Sequence, residues 1–188
     1  SPVQIGTSSW TAVANQGSRR AVAIRSDGTL WTWGPLIVAN GSSRNQLGIN
    51  NMFHTPFSSP VAINAGTVVS KFKDVDIKYH NTFYTPGIEL ISTRGVPYVL
   101  GNGAKSYGQQ TIYDNTSYGN YSKYAIPLMI GDTLVTTDQW NYIRVGWGSH
   151  TVALRSDGAL WTWGGGGFYG ALGDGTTVDL SLIHISEP

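Results

Sequence analysis

Residues 25–34 read RSDGTLWTWG, and residues 155–164 read RSDGALWTWG. Nine of the ten letters agree across an offset of 130 positions, in a chain of 188 residues. Each copy has the pattern of a β-hairpin. AVAIR (21–25) and TLWTW (29–33) are short and rich in strand formers. Between them, Ser26-Asp27-Gly28 supplies a tight turn whose glycine can adopt φ > 0. The second copy repeats the turn with Asp157 and Gly158. Strand alternation puts Leu30 and Thr32 on one face and Trp31 and Trp33 on the other, with Trp161 and Trp163 as their counterparts. Two indoles on one face predict a further layer that covers them. The glycines that follow, Gly34 and Gly164, predict strand ends where the backbone passes close to a neighbour.

The match extends outward from the hairpin. Trp10 and Trp140 fall at the same offset before Asp27 and Asp157, as do Val13 and Ile143. A weaker third copy, RGVPYVLGNG, occupies 94–103, so that Gly34, Gly101 and Gly164 recur at intervals of 67 and 63. NQLG (45–48), YGQQ (107–110) and GALG (170–173) follow the three hairpins, and SPVQIG (1–6), SPVAIN (59–64) and IPLMIG (126–131) close successive units. A unit of about 65 residues holding a few short strands cannot bury both of its faces alone and needs stacked copies. No segment has a helical period with caps. Four strands per unit repeated around an axis make a β-propeller. The expected fold is all-β, a partial propeller: an open arc of about three four-stranded blades, the third truncated. The units are 9–67, 68–133 and 134–179, with 1–8 as the end of a preceding repeat.

Composition narrows the function classes. Hydrophobic residues make up 40% and charged residues 12%, with net charge +1. That is enough apolar content for a core, and no basic surplus points to a nucleic-acid backbone. The 24 Gly, 7 Trp and 10 Tyr favour strands joined by turns. Cysteine is absent, which excludes a disulfide framework and thiolate metal sites. No apolar run reaches membrane-spanning length.

The order of motifs is specific. An aromatic residue leads, followed by Gly-x-His-Thr and Asp-Gly-x-Leu-Trp-x-Trp-Gly. A glycine-rich loop then ends in Leu-Gly-Asp-Gly-Thr-Thr. This pattern resembles the regulator-of-chromosome-condensation repeat family, best over 140–177, well over 9–64 and weakly over 68–131. The resemblance implies a seven-bladed ring in the full-length family member, of which this chain holds about three units. Self-association that completes the ring is a further expectation. The resemblance also places His150, in GSHT, near the inner strand as a hydrogen-bonded residue that fixes the blade. Arg20 aligns with it in the first unit, and His80 is the candidate in the second.

Catalytic patterns are lacking. There is no HExxH, no Cys-His zinc pattern and no GxSxG elbow. Gly165–Gly170 satisfies GxGxxG, but no helix follows, so the repeat explains these glycines better than a dinucleotide site does. Asp174, Gly175 and Asp179 supply too few ligands for a calcium loop. No catalytic residue, metal or cofactor is therefore assigned. The distinctive stretch is GAKSYGQQTIYDNTSYGNYSKYA (103–125), which carries Tyr107, Tyr113, Tyr118, Tyr121 and Tyr124 among Ser, Gly, Asn and Thr. Tyrosine offers a large contact area at low entropic cost and the small polar residues offer adaptable hydrogen bonds, as in antibody paratopes. A second loop, 35–58, holds Arg44, Met52, Phe53 and His54.

The expected function is a non-catalytic binding or structural module, part of a larger extracellular or virion surface protein. It would bind a protein or glycan through blade-connecting loops. Bacterial and phage proteins with similar tandem repeats share this low-charge, Ser/Thr/Gly-rich texture. The alternative that the resemblance implies is a regulator acting on a small GTPase or chromatin, and an enzyme on a propeller scaffold is a third reading. The last nine residues, LSLIHISEP (180–188), depart from the closing pattern seen at 1–6 and resemble the translation of a sequencing adapter. His184 and Glu187 are accordingly kept out of any site.

Overall fold

The computed structural model describes residues 1–16, 20–34, 57–63, 71–78, 87–102, 121–130, 133–134, 139–146, 150–164, 170–177 and 180–185. Among the described residues there is no helix. Three four-stranded antiparallel sheets follow one another along the chain. The first, blade 1, consists of β1 (Trp10–Gln16), β2 (Arg20–Arg25), β3 (Leu30–Gly34) and β4 (Phe57–Ala62). Blade 2 consists of β5 (Phe72–Lys78), β6 (Gly87–Ser92), β7 (Pro97–Asn102) and β8 (Tyr121–Pro127). A two-stranded ribbon of β9 (Met129–Ile130) and β10 (Thr133–Leu134) follows. Blade 3 consists of β11 (Trp140–Val145), β12 (His150–Arg155), β13 (Leu160–Gly164) and β14 (Leu180–Ile185). In each blade the strands pair in chain order, first to fourth.

The Asp-Gly hairpin forms as expected. Gly28 and Gly158 have φ of 85° and 88°, and Gly95 takes 85° at the same place in blade 2. Asp27 Oδ1 accepts from the Thr29 backbone N–H at 2.9 Å and from the Thr29 hydroxyl at 2.6 Å, and Asp157 Oδ1 accepts from Ala159 N–H at 3.0 Å. The hairpin strands are the two central strands of each sheet. Contacts between neighbouring blades are made chiefly by the first strands, with β5 lying against both β1 and β11. Gly34 and Gly164 sit where the pairing of third and fourth strands shifts register, each with φ of 102°. Their requirement for glycine is therefore a left-handed backbone at a bulge, which other residues adopt only at a cost.

Two cores join the blades. Val22, Ile24 and Leu30 of blade 1 pack with Phe72, Val75, Ile88, Leu90 and Leu100 of blade 2. Ile91, Val99 and Leu128 on the opposite side pack with Trp140, Ile143, Ala153 and Trp163 of blade 3. Blade 2 is thus covered on both faces, and all six residues of β6 are buried. This explains why GIELIS lacks the alternation of a one-sided strand.

At the C-terminal end, β14, within the segment that departs from the closing pattern, pairs along β13, with Trp161 opposite His184 and Gly164 opposite Leu180. Main-chain pairing tolerates many sequences, so a segment can complete a sheet without the closing pattern of the other units. The opening SPVQIG, read as the end of a preceding repeat, is not in a strand, and Val3 is 84% exposed.

Candidate interaction surfaces

Each blade interface is built from recurring parts. The turn glycine of one blade accepts a hydrogen bond from the first strand of the next. Gly28 O accepts from Phe72 N–H at 2.8 Å, and Gly95 O accepts from Trp140 N–H at 3.1 Å. A Cβ placed on Gly28 would lie 3.0 Å from Lys71 Cβ and 3.4 Å from its Cα. This is the close approach that the sequence suggests for a glycine, found at the turn. At the 2–3 interface two carboxylates add a clamp. Asp74 Oδ2 accepts from Ile143 N–H at 2.8 Å and pairs with the Arg144 guanidinium at 2.7 Å, while Asp76 Oδ2 accepts from Val145 N–H at 2.8 Å. The N–H groups so capped lie on the edge of β11 that pairs with no strand among the described residues, which blocks edge pairing. Deeper in the same interface the buried Glu89 accepts from the Thr151 hydroxyl at 2.8 Å.

The tryptophans form matched clusters. Trp10 stands edge-on to Trp31 at 6.3 Å and tilted against Trp33 at 6.3 Å; Trp140 stands edge-on to Trp161 at 5.8 Å and to Trp163 at 6.1 Å. Arg25 lies 4.5 Å over Trp31 and Arg155 5.7 Å over Trp161, a cation–π contact in each case. In blade 1 the Trp31 indole N–H also donates to the Thr29 hydroxyl at 2.9 Å. The one letter that differs between the decapeptides, Thr29 against Ala159, removes that relay from blade 3.

The two clusters differ in cover. Trp140 and Trp163 are buried against blade 2, whereas the tryptophan face of blade 1 is open and Trp10, Trp31 and Trp33 are half-buried. Val13 on that face is 69% exposed. On the other end, the far side of blade 3 is open, with Tyr142 54% and Leu160 42% exposed.

His150 occupies the first residue of β12, opposite Gly164, as Arg20 precedes the pair Ala21–Trp33 in blade 1. Its imidazole lies directly over Gly146, where any Cβ would collide with the ring. In blade 2 the residue at this position is Gly87, opposite Gly101. His80 therefore does not fill it, because the connection between β5 and β6 is longer than its counterparts; His80 itself lies outside the described residues.

The connections between third and fourth strands leave from the same end of every blade. They span 35–56, 103–120 and 165–179. Tyr107, Tyr113 and Tyr118 lie outside the described residues, as do Arg44, Met52, Phe53 and His54. Tyr121 and Tyr124 belong to β8, with Tyr121 paired to Asn102, so the expected loop ends before them. The described part of the third connection is a tight turn. Leu172 is buried and its carbonyl accepts from the Thr162 hydroxyl at 2.9 Å. Asp174 accepts from the Thr176 hydroxyl at 2.8 Å and N–H at 3.0 Å, and those bonds hold its carboxyl below the ordinary value. The acid serves the turn.

No family model matches the chain, and no curated protein matches it. Solved structures do. Human WBSCR16 is 22% identical, with a TM-score of 0.69 over 100% of this chain and 43% of that one. A chain in the complex of Kap60 with yeast RCC1 (Prp20) is 18% identical, with a TM-score of 0.53 over 90% of this chain and 34% of that one. Prp20p from Saccharomyces cerevisiae, in a study of its binding to Gsp1p and histones, is 18% identical, with a TM-score of 0.52 over 92% of this chain and 37% of that one. The chain spans less than half the length of each of these proteins and has the repeat fold of an RCC1-type β-propeller.

Proposed function

We propose that this chain is a non-catalytic propeller segment that binds a protein or glycan through the connections between third and fourth strands. It would belong to a larger extracellular or virion surface protein. The observation that carries the reading is the contrast within each blade. The hairpin strands and turn of blades 1 and 3 repeat nearly residue by residue and are spent on packing, while the connections at 35–56, 103–120 and 165–179 share one end of the blades and diverge in length and composition. Rigid scaffolds with variable loops are where binding resides. The second connection, with Tyr107, Tyr113 and Tyr118, has the composition of a contact surface.

Replacing Tyr107, Tyr113 and Tyr118 by serine tests this. The expected result is loss of binding in a glycan array and in pull-downs with surface proteins of the source, with an unfolding midpoint within about 2 °C of the parent. Retained binding, or a collapse in stability, overturns the assignment of the loop. A second reading, regulation of a small GTPase or chromatin, draws on the likeness to Prp20p, a protein with binding properties toward Gsp1p and histones. Titrating the chain against a small GTPase distinguishes the two. We also propose that 180–188 is not part of the natural protein; resequencing the source locus with adapter-free long reads decides this.

A further inference from the structure

We infer that Asp74, Glu89, Arg144 and Thr151 form a key that admits blade 3, and no other blade of this chain, to its seat on blade 2, so that near-identical hairpins assemble in one order. Blades 1 and 3 share the RSDG turn and the strand LWTWG, so the hairpin by itself does not distinguish one seat on blade 2 from the other. The side chains that cross each interface do. At the 2–3 interface the Arg144 guanidinium pairs with Asp74 Oδ2 at 2.7 Å, and the Thr151 hydroxyl donates to Glu89 Oε1 at 2.8 Å. Asp74, Glu89 and Thr151 are buried there. Pairing registers place Ala12 and Val22 of blade 1 at the positions of Asp74 and Glu89. They place Asp76 and Ile88 of blade 2 at the positions of Arg144 and Thr151. Where blade 1 meets blade 2, the counterpart of the Glu89–Thr151 pair is therefore Val22 and Ile88, both fully buried in one apolar core.

The alternative seatings fail on chemistry. Blade 1 in the seat of blade 3 would set Ala14 before Asp74 and Ala21 before Glu89, stripping a side-chain donor from each of two buried carboxylates. Blade 3 in the seat of blade 2 would set the Thr151 hydroxyl before Val22 and Arg144 before Ala12. Removing one partner of a buried polar pair costs more than the intact pair contributes, so such pairs select a neighbour by penalising the wrong one. The bonds from Ile143 N–H to Asp74 and from Val145 N–H to Asp76 involve backbone that any first strand offers, so they hold the joint without choosing its occupant. The Arg144 side chain is 58% exposed, and solvent screens its pairing with Asp74. Glu89 with Thr151 therefore carries most of the selection.

The test rebuilds the pair of the 1–2 interface at the 2–3 joint, with Glu89→Val, Thr151→Ile and the double variant. Each single variant leaves a buried polar group facing an aliphatic side chain and should lower the thermal midpoint by about 5 °C or more. The double variant should regain at least half of the summed loss, because both polar partners are gone. Its assembly should lose uniqueness. After refolding from urea, its ¹H–¹⁵N spectrum should show more indole N–H signals than the 7 tryptophans supply, while the parent shows 7. Additive losses in the double variant overturn the pairing, and a single set of indole signals overturns the key. Should the double variant fail to fold, Thr151→Val, which removes the hydroxyl and keeps the shape, is read against Thr151→Ser, which keeps the hydroxyl. A midpoint loss larger in the valine variant supports the pairing, and equal shifts overturn it.

Discussion

Trp33 and Trp163 occupy the same position in the same pentapeptide, LWTWG, yet their removal should have unequal consequences. Trp163 is 1% exposed, stands edge-on to Trp140 at 6.1 Å and packs in the core that includes Ile91, Val99 and Leu128 of blade 2. Trp163→Ala therefore removes a fully buried indole and leaves a cavity, a loss of about 3–5 kcal/mol. Trp33 lies on the open face, tilted against Trp10 and covered on one side only. At about 25 cal/mol per Å² over the part of its ~200 Å² that is buried, Trp33→Ala should cost about 1–3 kcal/mol. The expected gap is about 2 kcal/mol, or about 4–8 °C in midpoint for a chain of this size. Far-UV circular dichroism during thermal and urea unfolding measures it, at concentrations where the chain is monomeric. Losses that agree within about 0.5 kcal/mol would refute the assignment of Trp33 to an uncovered face.

Gly28→Ala and Gly158→Ala impose the same left-handed strain, but only the first meets a neighbour, at Lys71. Gly28→Ala should lower the midpoint further, and equal shifts would deny the turn its docking role. Asp74→Ala strips the acceptor from Ile143 N–H and Arg144 and should destabilise the 2–3 interface by about 2–4 kcal/mol, measured by urea unfolding. Asp27 is held below its ordinary pKa of 3.8 by the Thr29 hydroxyl and then the Thr29 N–H. Because the folded-state value is lowered, the stabilisation is complete above pH 3.8 and is lost as pH falls through the lowered value. Asp27→Asn should therefore flatten the acid limb of the midpoint-against-pH curve, and an unchanged limb would exclude a contribution from this turn.

Much of the fold was legible because blades solve one packing problem repeatedly. The Asp-Gly turn, the alternation of Leu30 and Thr32 against Trp31 and Trp33, and the spacing of Gly34, Gly101 and Gly164 all mark local geometry. The clamp of Asp74 and Asp76 was not legible. Its acceptors and the N–H groups they cap lie about 70 residues apart in sequence and belong to different sheets. DVD within FKDVDIK reads like any charged, solvent-facing strand until β11 is laid beside it. The position of His150 over Gly146 was visible only as a motif, and the absence of a histidine in blade 2 required the register of β6 with β7. Of the candidate contact residues, Tyr121 and Tyr124 moved from loop to strand because pairing with β7 begins at Asn102, which composition does not reveal.

What the sequence determines by itself is the unit: its strands, its turn, its bulge glycine and the two-sidedness of its hairpin, all set by residues within a few positions of one another. What the tertiary structure decides is which side is covered. The strand LWTWG buries Leu30 and leaves Trp33 half-buried in blade 1, where blade 2 lies on the leucine side, and buries Trp163 and leaves Leu160 exposed in blade 3, where blade 2 lies on the tryptophan side. The same five letters sit in opposite environments because burial belongs to the neighbour that arrives, and the neighbour is chosen by order along the stack rather than by the strand's own residues.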